Sequence, residues 1–457
     1  MKERYQNIGL KKMIITPSIF VKIALFLMLL INFPIIGEKI RMLYKLIPAW
    51  ALVVIIFNIK GILNALLQKK NGLLIFMGLT YGVTILLNYK SNMLQNSKAL
   101  IWYVIYICLF LLSFQYIQWK EKDVIHICWI VISTNMLNVV PSVILYLFNI
   151  TIRYNGQPIG PVGIMGRLYG IASGVNQCAL IAFVAILCAS YVIKKNYRIN
   201  LVKKIILILN IILSYIFVIA SGTRAVKYAG VIVCAFLVTF EVTGRIPQLK
   251  NKILEFIVQI ISYAIAVVAV LAIVELSKYP ISGLYGCLNI NIEQDMVFER
   301  SVESEHTSNA HRQELWRESI ELWKEHKIFG IGSANTTVYC NSSEKEFKYI
   351  NIGDYGASTH GTYIAVLLYS GVVGFLVFGM ILVYYMSDIF IWLYAGVKQK
   401  NLSCDMVILF GICLQISIYA VFATVIIFSN VQGTLLFWTF LGVLRGYKDN
   451  MIEKLCV

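Results

Sequence analysis

The sequence predicts an all-α polytopic integral membrane protein with about twelve transmembrane helices and one large extracytoplasmic loop containing an amphipathic helix. Three observations lead to this prediction. Of 457 residues, 59% are hydrophobic and 14% are charged, whereas a soluble domain has roughly 25% charged residues. Apolar runs recur along most of the chain, and Lys and Arg concentrate in alternate connections between them.

The apolar runs are close to the length that a helix needs to cross ~30 Å of hydrocarbon. Each is expected to be helical, because lipid offers no hydrogen-bond partner to an open backbone. The predicted spans are 17–36, 43–59, 72–89, 99–118, 124–149, 173–193, 205–220, 225–243, 253–276, 361–387, 404–428 and 430–444.

The distribution of basic residues predicts the orientation. If the N-terminus is cytoplasmic, the termini and connections on that side carry 22 Lys and Arg, and the short connections on the other side carry 9. The positive-inside rule then predicts that both termini lie in the cytoplasm. The net charge of +17 is accounted for by this asymmetry and by attraction to anionic membrane lipid, so nucleic-acid binding is not expected.

Three regions follow from this topology. Residues 1–276 form an N-terminal bundle of about nine helices, residues 277–359 form the large extracytoplasmic loop, and residues 360–457 form about three helices and a short cytoplasmic tail. The loop carries 12 Asp and Glu against 8 Lys and Arg, and it contains Cys287 and Cys340, which an oxidising exterior could pair. Loops of this length are usually functional, so the chemistry is expected here and at the outer helix ends.

The loop contains a predicted amphipathic helix at about 309–328. Trp316, Ile320 and Trp323 form one stripe of this helix, and the acidic residues of the segment fall on the opposite face. A helix with Trp on its apolar face commonly lies at a membrane interface. Arg312, one turn before Trp316, is then expected on the buried side, where the alternative role is snorkelling or pairing with a structural carboxylate.

Four other polar residues are predicted near the outer surface. Arg224 and Lys227 open the eighth span, His360 opens the tenth span, and Arg167 precedes the sixth. Charged groups at membrane depth are costly and mark functional sites by default, although each one alone could equally anchor a helix at the interface. Several Arg side chains with one His would suit a diphosphate, because guanidinium matches phosphate oxygens and a neutral imidazole can accept a proton.

Residues 312–374 resemble the signature of the bacterial O-antigen ligase and polymerase family of membrane glycosyltransferases. The matching residues, in order, are Arg312, Trp316, His326, Gly330, Gly332, Asn335, His360, Tyr363, Gly371 and Gly374. Two further segments are similar to family motifs, namely Ser221 to Arg224 and Gly174 to Ala179. The chain departs from the pattern at three positions, which are Val175, Lys327 and Gly361.

The resemblance implies glycosyl transfer, without metal or cofactor, from an undecaprenyl-diphosphate-linked oligosaccharide on the outer leaflet. Arg224 and Arg312 would hold the diphosphate leaving group, and His360 would position or deprotonate the acceptor hydroxyl. Further substrate contacts are expected from Arg167, Lys227, Tyr363, Asn335 and Trp316.

Three functions remain open at this point. The first is a polymerase that joins repeat units into a capsular or O-antigen-type polysaccharide, with a flippase and a chain-length regulator as partner proteins. The second is a ligase that moves a finished glycan to a surface acceptor. The third is a flippase or transporter of lipid-linked glycans, although transporters usually show repeats around a midplane site.

Overall fold

A computed structural model describes residues 15–154, 157–162, 167–195, 199–245, 252–288, 302–350, 359–399, 405–429 and 431–455. The first part of the chain contains α1 (Pro17–Leu30), α2 (Pro34–Phe57), α3 (Ile59–Leu66), α4 (Gly72–Leu87), α5 (Met93–Ile105), α6 (Ser113–Tyr116) and α7 (Glu121–Leu147). A short 3₁₀ turn, Lys69–Asn71, precedes α4, and a π-helical segment, Tyr106–Leu111, follows α5.

The second part of the chain is also mainly helical. It contains α8 (Val175–Lys195), α9 (Leu201–Ala220), α10 (Arg224–Arg245), α11 (Lys252–Leu276), α12 (Lys278–Leu288), α13 (Val302–Glu325), α14 (Thr336–Ser342), α15 (Thr362–Lys398), α16 (Asp405–Tyr419) and α17 (Gln432–Leu455). Between α7 and α8 lies an antiparallel sheet in the order β1 (Ile152–Tyr154), β2 (Gln157–Val162) and β3 (Arg167–Tyr169).

The helices confirm an integral membrane protein. Over the described ranges, 9 helices are long and apolar enough to cross a membrane, and α1 and α16 are apolar but shorter. The nine are α2, Lys69–Leu87, Met93–Tyr116, α7, α8, α9, Arg224–Gly244, Ile253–Ile281 and α15. A helix lies at each predicted span, whereas the number that cross the membrane stays a prediction.

The structure corrects the prediction in two places. The all-α expectation missed the small sheet, because its strands have only 3 to 6 residues and give no clear alternating pattern. The predicted span 404–428 is helical only to Tyr419, and residues 420–429 continue as an irregular segment. Irregular backbone is tolerated inside a membrane protein where protein buries it or where it lines a cavity.

Helix α8 lies at the centre of the buried core and packs against α7, α9 and α16. Its small residues Ala182, Ala185 and Ala189 are fully buried, which lets neighbouring backbones approach closely. On the adjacent helices, the Asn135 amide donates to Asn210 Oδ1 at 3.0 Å and to Ser214 Oγ at 2.8 Å. These hydrogen bonds satisfy polar groups that lipid could not.

Ion pairs join the helix ends that the sequence assigns to the cytoplasm. Lys195 at the end of α8 pairs with the buried Asp405 at 2.9 Å, and Lys398 at the end of α15 pairs with Glu255 at 2.5 Å. Further pairs at these helix ends are Lys194–Glu241, Lys448–Asp388, Arg445–Asp388 and Lys70–Asp449. By helix direction, the N-terminal ends of α8, α10 and α15 lie at the opposite end of the bundle.

Cys287 and Cys340 are both free thiols, and they differ in environment, since Cys287 is exposed and Cys340 is buried. The pairing that the sequence left open is therefore not present in this structure.

Candidate functional site

A cavity of about 70 Å³ lies at the N-terminal end of α10. Its lining includes the three residues that the sequence assigned to catalysis, although they come from three separate elements: Arg224, Arg312 and His360. Asn176, Thr223 and Tyr419 contribute to the same wall. The structure thus brings two guanidinium groups and one imidazole to a single cavity, which is an arrangement suited to an anionic substrate.

Arg224 is placed by a tight turn between α9 and α10. Gly222 has a left-handed backbone, with φ of 60°, and the Ser221 hydroxyl donates to Thr223 Oγ1 at 3.1 Å. The Thr223 hydroxyl in turn donates to Asn176 Oδ1 at 3.3 Å. The two short motifs predicted at 221–224 and 174–179 are therefore in contact. Arg224 is the first residue of α10, where the helix dipole also favours an anion.

Arg312 is placed by the buried face of α13. Among the described side chains of this helix, Leu315, Ser319 and Leu322 are the most deeply buried, and with Arg312 they follow the spacing of one helix face. The sequence prediction had put Trp316, Ile320 and Trp323 on the buried stripe, but all three are half-buried. The buried stripe is thus rotated by about one residue, and Arg312 lies on it.

A buried carboxylate next to this face also holds α13. Glu318 is 8% exposed and accepts hydrogen bonds from the backbone N–H groups of Lys348, Tyr349 and Ile350 at 3.0, 2.8 and 2.9 Å. His311 packs edge-on against Tyr349, with ring centroids 5.1 Å apart. Helix α13 is therefore fixed between the bundle and the 348–350 segment, and this keeps Arg312 at the cavity.

The turn after α13 inserts into a break in α15. At Gly371 the backbone is left-handed, with φ of 66°. The N–H groups of Val372 and Val373 donate to Lys327 O and Ile328 O at 2.8 and 3.3 Å instead of to the carbonyls one turn earlier. Those carbonyls, of Leu368 and Tyr369, accept from Ile331 N–H and Gly332 N–H at 3.0 and 2.9 Å.

This exchange of four hydrogen bonds gives a physical reason for the glycines of the family signature. A Cβ on Gly330 would lie 2.5 Å from Leu368 O, and a Cβ on Gly371 would lie 2.1 Å from Ile328 O. The two backbones can approach this closely only without side chains.

Polar side chains in and just after α4 donate hydrogen bonds to the same turn, and the sequence analysis did not predict these contacts. Thr84 Oγ1 donates to Phe329 O at 2.6 Å, and Asn88 donates to Gly330 O at 3.3 Å. Just beyond α4, Asn92 donates to Ala334 O at 2.9 Å. The signal was available, because threonine and asparagine recur every four residues from Thr80 to Asn96, and the first of them, Thr80 and Thr84, share one face of the apolar helix α4.

His360 lies in a strained turn that is anchored on the irregular segment 420–429. Its φ is 44°, a left-handed conformation that is uncommon outside glycine and concentrates at functional sites. Thr362 N–H donates to Ala420 O at 2.7 Å, and the Thr362 hydroxyl donates to Ala423 O at 2.9 Å. A Cβ on Gly361 would lie 2.8 Å from Val421 O, which explains why glycine replaces the larger residue at this departure from the family pattern.

The surroundings lower the pKa of His360 below its usual 6.5. The main cause is desolvation by the surrounding protein, followed by the positive charge of Arg312 and then that of His311. The imidazole is therefore mostly neutral at pH 7 and can accept a proton. The side chain keeps contact with solvent, so an acceptor can approach it.

Four of the other predicted site residues do not line this cavity in the part of the chain that the structure describes. Trp316 Nε1 donates to His360 O at 3.4 Å, and the Tyr363 hydroxyl donates to Ser417 O at 3.0 Å, so both support the His360 turn. Asn335 is fully buried and donates to Ile331 O at 2.7 Å, and Lys227 pairs with Glu275 at 3.1 Å. The backbone of Arg167 opens β3, and its side chain lies outside what the structure describes. Trp316, Tyr363 and Asn335 therefore contact the backbone around the cavity, and their predicted substrate contacts stay predictions.

Part of the chain is similar to a known protein family. Residues 164–379 match the O-antigen ligase family model. The resemblance to the O-antigen ligase and polymerase family is thereby confirmed, and the matched region contains Arg224, Arg312 and His360. A search of curated proteins finds no match to the chain.

Proposed function

We propose that this protein is a membrane glycosyltransferase that polymerises undecaprenyl-diphosphate-linked oligosaccharide repeat units into a surface polysaccharide. The observation that carries the proposal is the cavity that Arg224, Arg312 and His360 line together. The family match supports the coarser statement, which is a membrane enzyme acting on lipid-linked glycans in O-antigen assembly.

The proposed reaction assigns one role to each of the three side chains. An acceptor sugar hydroxyl attacks the anomeric carbon of the donor, and the neutral imidazole of His360 takes its proton. The bond from that carbon to the diphosphate oxygen breaks, and undecaprenyl diphosphate leaves with the electron pair. Arg224 and Arg312 stabilise the negative charge that develops on the leaving oxygen.

Charge stabilisation in this scheme comes from the protein itself, so we propose that transfer is independent of metal ions. Two guanidinium groups supply four parallel N–H donors to a diphosphate when each binds through its fork. Diphosphate is a good leaving group, and the remaining task is to position the acceptor.

We propose that the cavity faces the outer leaflet of the cytoplasmic membrane, with both termini and the ion-paired helix ends in the cytoplasm. The excess of basic residues at those ends supports this orientation. Lipid-linked repeat units, anionic membrane lipid and other polysaccharide-assembly proteins, including a flippase and a chain-length regulator, would then be its partners.

A ligase is the second candidate function, and the description of the matching family model favours it. Both reactions use the same leaving group and the same base, so the cavity serves either one. The two differ in the acceptor, which is another lipid-linked glycan for a polymerase and a surface acceptor such as a lipid core for a ligase.

A reconstituted transfer assay tests the proposal. The purified protein in nanodiscs receives the undecaprenyl-diphosphate repeat unit of its own strain, with EDTA and without nucleotide, and the products are separated by size on a gel. A ladder of longer lipid-linked glycans is expected. Transfer only after a lipid-core acceptor is added would establish the ligase instead, and movement of the substrate across the bilayer without any transfer would contradict both.

A further inference from the structure

A second cavity, of about 210 Å³, lies beside the candidate active site. The two cavities share the irregular segment 420–429 as a wall, since Ala423 lines the first and Ile426 lines the second. Three residues of chain span at most about 10 Å. Along this segment the two cavities are therefore at most about 10 Å apart, a distance that a short oligosaccharide can span.

The second cavity is polar at its mouth and aromatic along its wall. Gln95 and Lys98 are exposed at the start of α5, and their side chains are hydrogen-bonded at 2.8 Å. Trp102 and Tyr106 lie further along the same helix and also line the cavity. From Gln95 to Tyr106 the helix rises about 16 Å, so the cavity extends from the helix end well into the bundle.

The aromatic wall is preformed. The ring of Trp102 is stacked on Tyr106 with centroids 5.6 Å apart and on Tyr44 at 6.3 Å. The Trp438 Nε1–H donates to Ile426 O at 2.9 Å, and the Tyr103 hydroxyl donates to Leu74 O at 2.8 Å. Because backbone carbonyls already satisfy these polar atoms, Trp438 and Tyr103 offer mainly their ring surfaces to a ligand.

Both walls depart from regular helix at this cavity. Tyr106 begins the π-helical segment Tyr106–Leu111, and such segments are frequent at functional sites. On the facing wall, Phe428 has a φ of 59°, a conformation that costs energy in a residue with a large side chain. Its ring packs against Tyr81 with centroids 4.4 Å apart. Irregular backbone on both sides is the pattern expected where a buried segment lines a binding cavity.

We infer that this cavity binds a sugar ring of the acceptor glycan. A sugar ring has an apolar C–H face, which packs on an aromatic surface, and a rim of hydroxyls, which need donors and acceptors. The cavity supplies both, because the polar side chains of Gln95, Lys98, Ser333 and Ser429 line it together with the aromatic rings. A prenyl chain would require no such polar groups. Identifying the glycan as the acceptor rests on the proposed function, whereas glycan binding itself does not.

A binding experiment with matched variants tests this inference. The probe is the lipid-free oligosaccharide released by mild acid from the strain's own lipid-linked repeat unit, titrated calorimetrically into the full-length protein in nanodiscs. Trp102→Leu keeps apolar volume and removes the ring, so binding is expected to weaken about tenfold, while Trp102→Phe keeps a ring and should bind within about threefold of the wild type. Trp392→Leu, a half-buried tryptophan at the other end of α15, is the matched control and should bind normally.

Two further variants separate a loss of glycan binding from a loss of folding and from a loss of catalysis. Gln95→Ala alters an exposed side chain and should weaken glycan binding several-fold. His360→Asn should bind the glycan normally although its transfer rate is greatly reduced. If the wild type binds glycan through Trp102 but transfers nothing, the proposed function fails and this inference stands. Equal glycan affinity in the wild type, Trp102→Leu and Gln95→Ala would overturn it, as would a cavity that binds undecaprenyl phosphate and no oligosaccharide.

Discussion

Replacing Gly371 by alanine tests how the turn after α13 is held in the break of α15. Gly371 has a φ of 66° and a ψ of −171°, a conformation restricted almost entirely to glycine, and another residue there costs about 1–3 kcal/mol. The new Cβ would lie 2.1 Å from Ile328 O and 2.3 Å from Ile328 C. Both atoms belong to backbone, so the turn at 327–332 must move away.

The displacement has a cost that can be estimated from the hydrogen bonds it breaks. The shortest two in the exchange are Val372 N–H to Lys327 O at 2.8 Å and Gly332 N–H to Tyr369 O at 2.9 Å. A buried polar group left without a partner costs about 1–3 kcal/mol. With the backbone strain, the substitution is expected to destabilise this region by about 3–9 kcal/mol, a large part of the stability of a typical domain.

The assay is thermal unfolding of the purified protein in detergent, followed by transfer activity at a permissive temperature. Gly371→Ala should unfold at a clearly lower temperature and lose activity, because the turn positions α13 and hence Arg312. Gly379→Ala is the control in the same helix, since nothing lies within 4 Å of its Cβ and alanine favours a helix by about 1 kcal/mol. If both variants have the unfolding temperature and the activity of the wild type, the close packing of turn 327–332 against the backbone of α15 does not determine stability, and this explanation is wrong.

Three further predictions concern the cavity and the helix that carries Arg312. His360→Asn tolerates the left-handed backbone but cannot accept a proton at neutral pH, so the transfer rate should fall about 10²–10⁴-fold with normal thermal unfolding. Because the pKa of His360 lies below 6.5, wild-type kcat/KM should be constant above pH 7 and should decline only below about pH 6.5; a decline centred above pH 7 would contradict this environment. Glu318→Ala leaves three backbone N–H groups at 348–350 without their acceptor, so proteolysis should cleave near that segment faster than in Glu344→Ala, whose side chain is exposed.

Much of the fold could be predicted because its determinants are local. Lipid requires apolar helices, and a helix lies at each predicted span. The end of α16 could not be predicted, because Val425, Ile426 and Ile427 are as apolar as any helix. What ends the helix is tertiary, since the backbone at 420–423 accepts hydrogen bonds from Thr362.

The site shows the same division between local and tertiary information. Arg224, Arg312 and His360 were recognisable from charge, topology and a family resemblance, and the structure brings them to one cavity. The orientation of α13 was predicted wrongly, because tryptophan was taken to mark the buried face, whereas Leu315 and Leu322 are buried more deeply. The hydrogen bonds from α4 to the 329–334 turn were not predicted, because a hydrogen bond such as that from Thr84 to Phe329 O joins residues 245 positions apart.

In the proposed function, Arg224 and Arg312 bind the diphosphate of the lipid carrier. The most direct measurement is the affinity of undecaprenyl diphosphate for the purified wild type, Arg224→Gln, Arg312→Gln and Arg317→Gln in nanodiscs. Arg317 is on the same helix as Arg312, but its side chain is 70% exposed and pairs with Glu314. We expect at least about tenfold weaker binding for each cavity variant, since charge-assisted hydrogen bonds to phosphate contribute about 1.5–3 kcal/mol, and wild-type binding for Arg317→Gln. Equal affinity in all four proteins would contradict the assignment of this cavity as the diphosphate site.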